Sequence, residues 1–251
     1  MINLKTKEEI EIMKEAGYIS ALALKAAGDA MKPGITTKYL DRVARDCIES
    51  NGAKPSFLGV GGFPACTCIS VNNEIIHGIP SKSRVIEEGD VVTIDVGAYF
   101  KGFHGDNAKT FACGEVPMET RRLLEITEKA LQIGIDTAKI GMRIGDIGSA
   151  IQKFVESNGF SVVREYCGHG IGRSIHEDPS VPNFGESGKG VLIEDGMVIA
   201  IEPMVNVGRP NVVKLKDGWS VVTADGELSA HFEHTVAVTE KGVIVLTDLG
   251  L

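Results

Sequence analysis

The sequence has no apolar run approaching the ~20 residues that a membrane-spanning helix needs. Its first residues, Met1-Ile2-Asn3-Leu4-Lys5, lack the basic-then-apolar layout of a secretory signal. A soluble, cytoplasmic protein is expected. Cysteine is sparse and unpaired: Cys47, Cys66, Cys68, Cys113 and Cys167 are odd in number and form no CxxC motif, which excludes a disulfide framework and a thiolate zinc site. The Cys66-x-Cys68 pair is too weak a signal to carry a metal by itself. Positive charge is also in deficit. The 26 Lys and Arg against 34 Asp and Glu leave a net charge of −8, so nucleic acid is a poor partner for the surface as a whole. Several catalytic signatures are missing as well. Gly168-x-Gly170-x-Gly172 lacks dinucleotide-fold spacing, and Gly185 to Gly190 lacks the spacing and hydroxyl of a phosphate loop. Neither GxSxG nor HExxH occurs, which removes a serine hydrolase elbow and a single-zinc helix site.

What is present is a chain of 251 residues, 43% hydrophobic, long enough to bury a sizeable core as one large domain or two fused halves. Glycine, at 30 residues, stands well above the usual ~7%, so tight turns and close backbone approaches are expected.

The chain also repeats itself at an offset of 107 residues. Lys32-Pro-Gly34-Ile-Thr36 leads through a helical pattern to Ile48-Glu-Ser-Asn51-Gly52, and Lys139-Ile-Gly141-Met-Arg143 leads likewise to Val155-Glu-Ser-Asn158-Gly159. At the same offset 85–95 lies over 192–202 with five identities in eleven positions, ending on Asp95 and Glu202. Gap-free matches at one offset imply two related halves, approximately 1–113 and 114–251, packed as a single domain about a shared centre. Each half reads as helix, helix, strands. Thr6 to Glu9 forms a capping box, followed by an apolar stripe of Ile10, Met13, Ile19, Leu22 and Ala26. A second helix spans about Thr37 to Ser50. Val91 to Ile94, Met197 to Ile201 and Val243 to Leu246 read as strands. Helices grouped ahead of strands predict an α+β fold.

Acids at strand ends carry the chemistry. Asp95 closes an apolar strand, and Asp106 follows after ten residues rich in glycine, a spacing that lets a hairpin bring the second carboxylate beside the first. Glu202 occupies the position equivalent to Asp95 in the second half and precedes Pro203, which ends the ladder. Glu233 shares a strand face with Thr235 and Ala237 by period-two alternation. Four acids in one place repel one another unless cations sit among them. His169, on a glycine-rich loop, is the natural nitrogen ligand. Asp95, Asp106, His169, Glu202 and Glu233 make an oxygen-rich set with one nitrogen, suited to two divalent ions such as Mn, Fe, Co or Zn. Paired ions activate water and polarise carbonyls, so hydrolysis leads. His77 and His176 taken singly read as structural, His231 and His234 as outer partners or surface groups, and His104 as a turn residue without a role.

Five segments resemble type 1 methionine aminopeptidase: Cys68 to Pro80 with His77, Asp95 to Asp106, Tyr166 to Pro179 with His169 and His176, Ala200-Ile-Glu202-Pro-Met204, and Phe232-Glu233-His-Thr235. The resemblance runs nearly end to end. It implies the pita-bread fold, with helices of two pseudo-symmetric halves packed on a curved antiparallel sheet around a dinuclear metal site. It implies removal of the initiator methionine from nascent chains with a small second residue. By position, the five ligands would hold two metals, with Asp106 and Glu233 bridging them. His77 and His176 would contact substrate and the developing tetrahedral centre, and Glu202 would also move a proton. The methionine pocket would map to Phe57, Val60, Phe63, Cys68, Ile175 and Trp219. Val60 departs from a frequent tyrosine, and Phe57 and Ile175 also differ from common family residues. A monomer with transient ribosome contact and no nucleic-acid or membrane substrate is implied. Proline-specific peptidases share such a metal set but normally carry a further N-terminal domain. A catalytically silent binding module on this fold would be expected to lose ligands.

Overall fold

The computed structural model describes residues 2–250. Its first helix, α1 (Lys7–Ala30), starts on the expected capping box: the Glu9 amide donates to the Thr6 hydroxyl at 3.2 Å and the Thr6 amide to the Glu9 carboxylate at 3.0 Å. Next comes α2 (Thr37–Ser50), then β1 (Lys54–Pro55), β2 (Thr67–Val71), β3 (Glu74–Ile76), β4 (Val91–Phe100) and β5 (Phe103–Ala112). The second half begins with α3 (Met118–Thr137) and α4 (Ile144–Ser157), followed by β6 (Ser161–Val162), β7 (Gly168–Gly170), β8 (Glu177–Val181), β9 (Val198–Ile201) and β10 (Met204–Asn206). It ends with β11 (Val212–Lys214), β12 (Val221–Thr223), β13 (Ser229–His231), β14 (Glu233–Thr239) and β15 (Gly242–Val245).

The 107-residue offset recurs in the fold. Both ends of α2 and α4 differ by that number, as do the starts of β4 and β9, and the bridge Thr36 to Val85 recurs as Arg143 to Leu192. Each second helix ends at an Asn followed by a glycine in the left-handed region, Gly52 at φ 74° and Gly159 at φ 82°. Sequence and structure thus agree on two pseudo-symmetric halves.

Strands from both halves join into one nine-stranded sheet, in the order β1-β4-β5-β14-β9-β7-β8, with β2 also on β4 and β15 also on β14. All its pairs are antiparallel. Two three-stranded sheets, β13-β10-β6 and β11-β12-β3, complete the architecture. One core lies between the first helix pair and its strands, with Ile19, Leu40 and Ile48 against Ile69, Val92, Ile94 and Val96. Its counterpart packs Leu123, Ile147, Ile151 and Val155 against Ile199, Ile201, Val236 and Val238. The α+β pita-bread arrangement follows from these layers.

One close approach has a sequence cause. Gly17 of α1 lies so near Gly105 of β5 and the Leu246 carbonyl that a Cβ on either glycine would collide with backbone. Helix α1 therefore sits directly on the strand that carries Asp106. This docking also corrects the predicted stripe. Ile10, Met13 and Ile19 are buried, but further along the buried set is Ala23, Leu24 and Ala27, while Leu22 and Ala26 are only half-buried. Contact with both α2 and the sheet widens and turns the buried face. Among the described residues no helix is long and apolar enough to cross a membrane, and all five cysteines are free thiols.

Candidate metal centre

Strand alternation decides which side chains meet. In β4, Val92, Ile94 and Val96 enter the helix-covered core, so Asp95 faces the opposite side. The hairpin register pairs Asp95 with Ala108 and Gly97 with Asp106, making the two acids diagonal neighbours on one face. From the other side, β14 also pairs Glu233 with Ala108. Asp95 and Glu233 thus flank an alanine, whose small side chain leaves the space above it to the two carboxylates. In β9, Ile199 and Ile201 face the second core, Glu202 follows directly, and His169 of β7 pairs with Ala200 two residues before it.

The tips converge. Ligand atoms of Asp106, His169 and Glu233 all lie within 4.8 Å of one another. His169 Nε2 is 3.9 Å from Asp106 Oδ2 and 3.7 Å from Glu202 Oε1. Asp106, Glu202 and Glu233 are buried, and Asp95 Oδ1, Asp106 Oδ1 and Glu233 Oε1 have no hydrogen-bond partner. Among the described residues no Lys or Arg pairs with these acids; only the rings of His169 and His231 come within 4 Å. Burial pushes Asp95 up to about 7. Burial, and then the neighbouring carboxylates, drive Asp106, Glu202 and Glu233 well above the ordinary range. Burial also holds His169 down at about 4, hence neutral at pH 7. Its Nδ1 lies 2.9 Å from the Gly170 carbonyl, which only accepts, so Nδ1 carries the proton and Nε2 turns a lone pair toward the acids. Orphaned carboxylate oxygens around an aimed imidazole lone pair fit divalent cations.

The metal-free protein should show the charge conflict as a pH effect. Carboxylates whose folded pKa is raised stabilise the fold while protonated, and that stability is lost as pH rises through their folded values. The buried histidines act in the opposite sense, but only below their ordinary pKa of about 6.5. Metal-stripped protein should therefore lose melting temperature as pH rises from about 6.5 through the range in which Asp95, at about 7, ionises, and saturating Mn²⁺ should remove the slope. Calorimetric melting across that range checks it; a flat profile for the stripped protein would mean the acids are compensated by something other than metal.

Around this centre lies the rest of the expected site. His77 follows β3 at φ 60°, a strained conformation for a non-glycine residue, with its ring edge-on to Tyr166. The next residue, Gly78, has no room for a side chain against the Ile69 carbonyl. His176 packs edge-on against His169, ring centroids 4.4 Å apart. Glu177 beside it is held by the Lys5 ammonium at 2.6 Å, a pair buried on both sides, and by the Ser174 amide at 3.1 Å. Phe57, Val60, Phe63, Cys68, Ile175 and Trp219 wall the same cavity as His77, His176 and the five acid and imidazole groups. Phe63 meets Trp219 edge-to-face at 5.1 Å, while Val60, 41% exposed, sits at the rim. Every residue expected at the site therefore borders one cavity. Two roomier surface grooves, about 540 and 530 Å³, bring together no comparable cluster of acids and imidazole.

One histidine differs from expectation, and for two others the structure decides between outer partner and surface group. His104 lies in β5, not in a turn, with Nδ1 2.9 Å from the Ser56 hydroxyl and its ring against Tyr99. His231 is 1% exposed, and His234 is half-buried with Nδ1 2.8 Å from the Thr247 hydroxyl, so neither is a surface group. Alternation shows which face a residue takes but not whether that face is covered. Two positioning contacts escaped sequence reasoning altogether. The Thr235 hydroxyl accepts from the Asp106 amide at 3.0 Å and donates to the Asp106 carbonyl at 2.8 Å. Its placement on the Glu233 face was the available signal. For Lys5 and Glu177, 172 residues apart, there was none.

Residues 11–240 match the model of metallopeptidase family M24. A methionine aminopeptidase of Clostridium perfringens is 52% identical over 98% of this chain and 99% of its own length. The crystal structure of methionine aminopeptidase from Thermotoga maritima superposes with a TM-score of 0.97 at 45% identity, covering 99% of this chain and 100% of that one. The prolidase from Pyrococcus furiosus shares the fold more distantly, at 28% identity and a TM-score of 0.79, with 98% of this chain covering 65% of it.

Proposed function

The chain belongs to metallopeptidase family M24, and from that membership we propose that its cavity removes the N-terminal methionine of polypeptides by metal-dependent hydrolysis. The observation that carries the reading is the meeting of four carboxylates, three buried and Asp95 half-buried, with a neutral imidazole at one side of an apolar cavity. Asp95, Asp106, His169, Glu202 and Glu233 would hold two divalent ions. Co, Mn, Fe and Zn all suit such a donor set. Bound there, the ions supply Lewis-acid polarisation of the scissile carbonyl and acidify water.

The chain's own groups supply the rest. Phe57, Phe63, Cys68, Ile175 and Trp219, with Val60 at the rim, receive the apolar methionine side chain and exclude water from it. His77 and His176 donate N–H to the scissile carbonyl oxygen and to the charge that develops on it. Burial holds His77 at about 4, hence neutral at pH 7, and partial desolvation lowers His176 as well. A neutral ring offers its single N–H without bringing a further charge into the site. The Glu202 carboxylate accepts the proton of the attacking water and returns it to the leaving amine. In this reading residues 1–251 are one catalytic domain with halves at 1–113 and 114–251. It acts in the cytoplasm as a monomer, in transient contact with the ribosome, on nascent chains whose second residue is small.

The test is release of free methionine from Met-Ala-Ser, followed by mass spectrometry, with Mn²⁺-loaded and metal-stripped protein. Leu-Ala-Ser and Ala-Pro-Ser serve as comparisons. Metal-dependent cleavage of the first peptide alone is expected. Cleavage of Ala-Pro-Ser would move the activity to the proline-specific peptidases, and silence on every peptide despite bound metal would leave a binding module.

A further inference from the structure

His231 ends β13 with 1% of its surface exposed, yet neither ring nitrogen has a hydrogen-bond partner. A methionine or leucine would fill that volume without burying two unpaired nitrogens, so the imidazole has to be explained by what it faces. Its backbone is held firmly. The His231 amide donates to the Thr110 hydroxyl at 2.8 Å, and the same hydroxyl donates to the His231 carbonyl at 2.8 Å. Thr110 stands on the face of β5 that carries Asp106 and Ala108, and His231 pairs with Met204 of β10. The ring is thus aimed by strands of the interior, not by a loop.

It is aimed at the acids. His231 Nε2 lies 3.6 Å from Glu202 Oε2 and 4.0 Å from Glu233 Oε2. The other oxygen of Glu202, Oε1, lies 3.7 Å from His169 Nε2. The Glu202 carboxylate is therefore flanked by an imidazole on each oxygen, and the two rings differ in what they offer. His169 has committed its proton to the Gly170 carbonyl and shows Glu202 a lone pair. His231 has made no such commitment. Neither of its nitrogens has a partner, so the N–H of the ring is still to be placed.

We propose that His231 is a positioning residue, which donates its Nε2–H to Glu202 Oε2 and thereby fixes the direction in which Glu202 presents Oε1 beside His169. A shift of about half an ångström brings the 3.6 Å separation into hydrogen-bond range. This role rests on the reading of Glu202 as ligand and proton carrier. It is the outer-sphere contact that a ligating carboxylate ordinarily has, here supplied by a group 29 positions along the chain and on a different strand.

Three proteins test it: wild type, His231→Met, which fills the space without a donor, and His231→Gln, whose amide N–H reaches about as far as imidazole Nε2. Calorimetric Mn²⁺ titration of stripped protein and steady-state cleavage of Met-Ala-Ser are measured on each. His231→Met should weaken Mn²⁺ binding about ten- to a hundred-fold and lower kcat with KM within about twofold, and His231→Gln should recover most of both. Unchanged Mn²⁺ binding and kcat in His231→Met would overturn the role, as would His231→Gln being impaired to the same degree. If His231→Met does not fold, ¹⁵N-histidine spectra of Zn²⁺-loaded wild type decide, with the His231 signals identified by their loss in His231→Gln. An Nε2-protonated ring supports the role and an Nδ1-protonated ring defeats it. Wild type that neither binds Mn²⁺ nor cleaves the peptide would instead bring down the underlying function.

Discussion

Asp106→Asn should yield a folded protein that loses most of its bound metal and nearly all of its activity. The position is isosteric, and its backbone stays tied to the Thr235 hydroxyl through both amide and carbonyl, so the change acts through charge. Asp106 Oδ2 stands 3.9 Å from His169 Nε2, and Oδ1 is buried with no donor to satisfy it. A carboxamide offers one neutral acceptor where the carboxylate offered two charged ones, and its NH₂ group opposes a cation. Losing metal removes several kcal/mol of transition-state stabilisation, and at about 1.4 kcal/mol per decade that is ~10³-fold or more in rate. Stability should move the other way. The stripped variant should melt higher than stripped wild type above neutral pH, because a desolvated acid that also raises Glu233 is gone. Each kcal/mol relieved is about 2–4 °C for a chain of this size. Elemental analysis, peptide cleavage and calorimetry together check this. Wild-type metal content in the variant would remove Asp106 from the ligand set.

His176→Ala should lower kcat about 10²–10³-fold, the usual loss for one donor to a developing oxyanion, while leaving metal content intact and KM little changed. The ring meets His169 edge-on and borders the cavity, and partial desolvation there lowers its pKa. A contact that strengthens only as charge develops appears in kcat. Steady-state kinetics on Met-Ala-Ser with parallel metal analysis separates this variant from Asp106→Asn. A raised KM at unchanged kcat would make His176 a ground-state binding residue. The buried Lys5–Glu177 pair holds the residue next to it, so the chain's first segment contributes to the precision of that donor.

How much of this was legible beforehand depended on sequence distance. The capping box, the strand parity of Asp95 and Glu233, and the hairpin return to Asp106 are local patterns, and each stands in the structure as read. The repeat at 107 residues was legible because both halves kept the same helix ends and turn glycines. Contacts without a local pattern were missed. The rotation of α1's buried face depends on Gly17 meeting Gly105 and Leu246. His104 was misplaced because a glycine-rich stretch looks like a turn while its residues complete a ten-residue strand.

The sequence by itself determined the periodicities, the two-fold repeat and which face of its strand each acid takes, because these follow from bonded geometry within a few residues. Only the tertiary structure decided that Asp95 and Glu233 share Ala108 as neighbour, that Lys5 reaches Glu177, and that His231 lies sealed against Glu202. Burial and cross-strand pairing depend on what covers a face, and the covering segments lie tens of residues or more away along the chain.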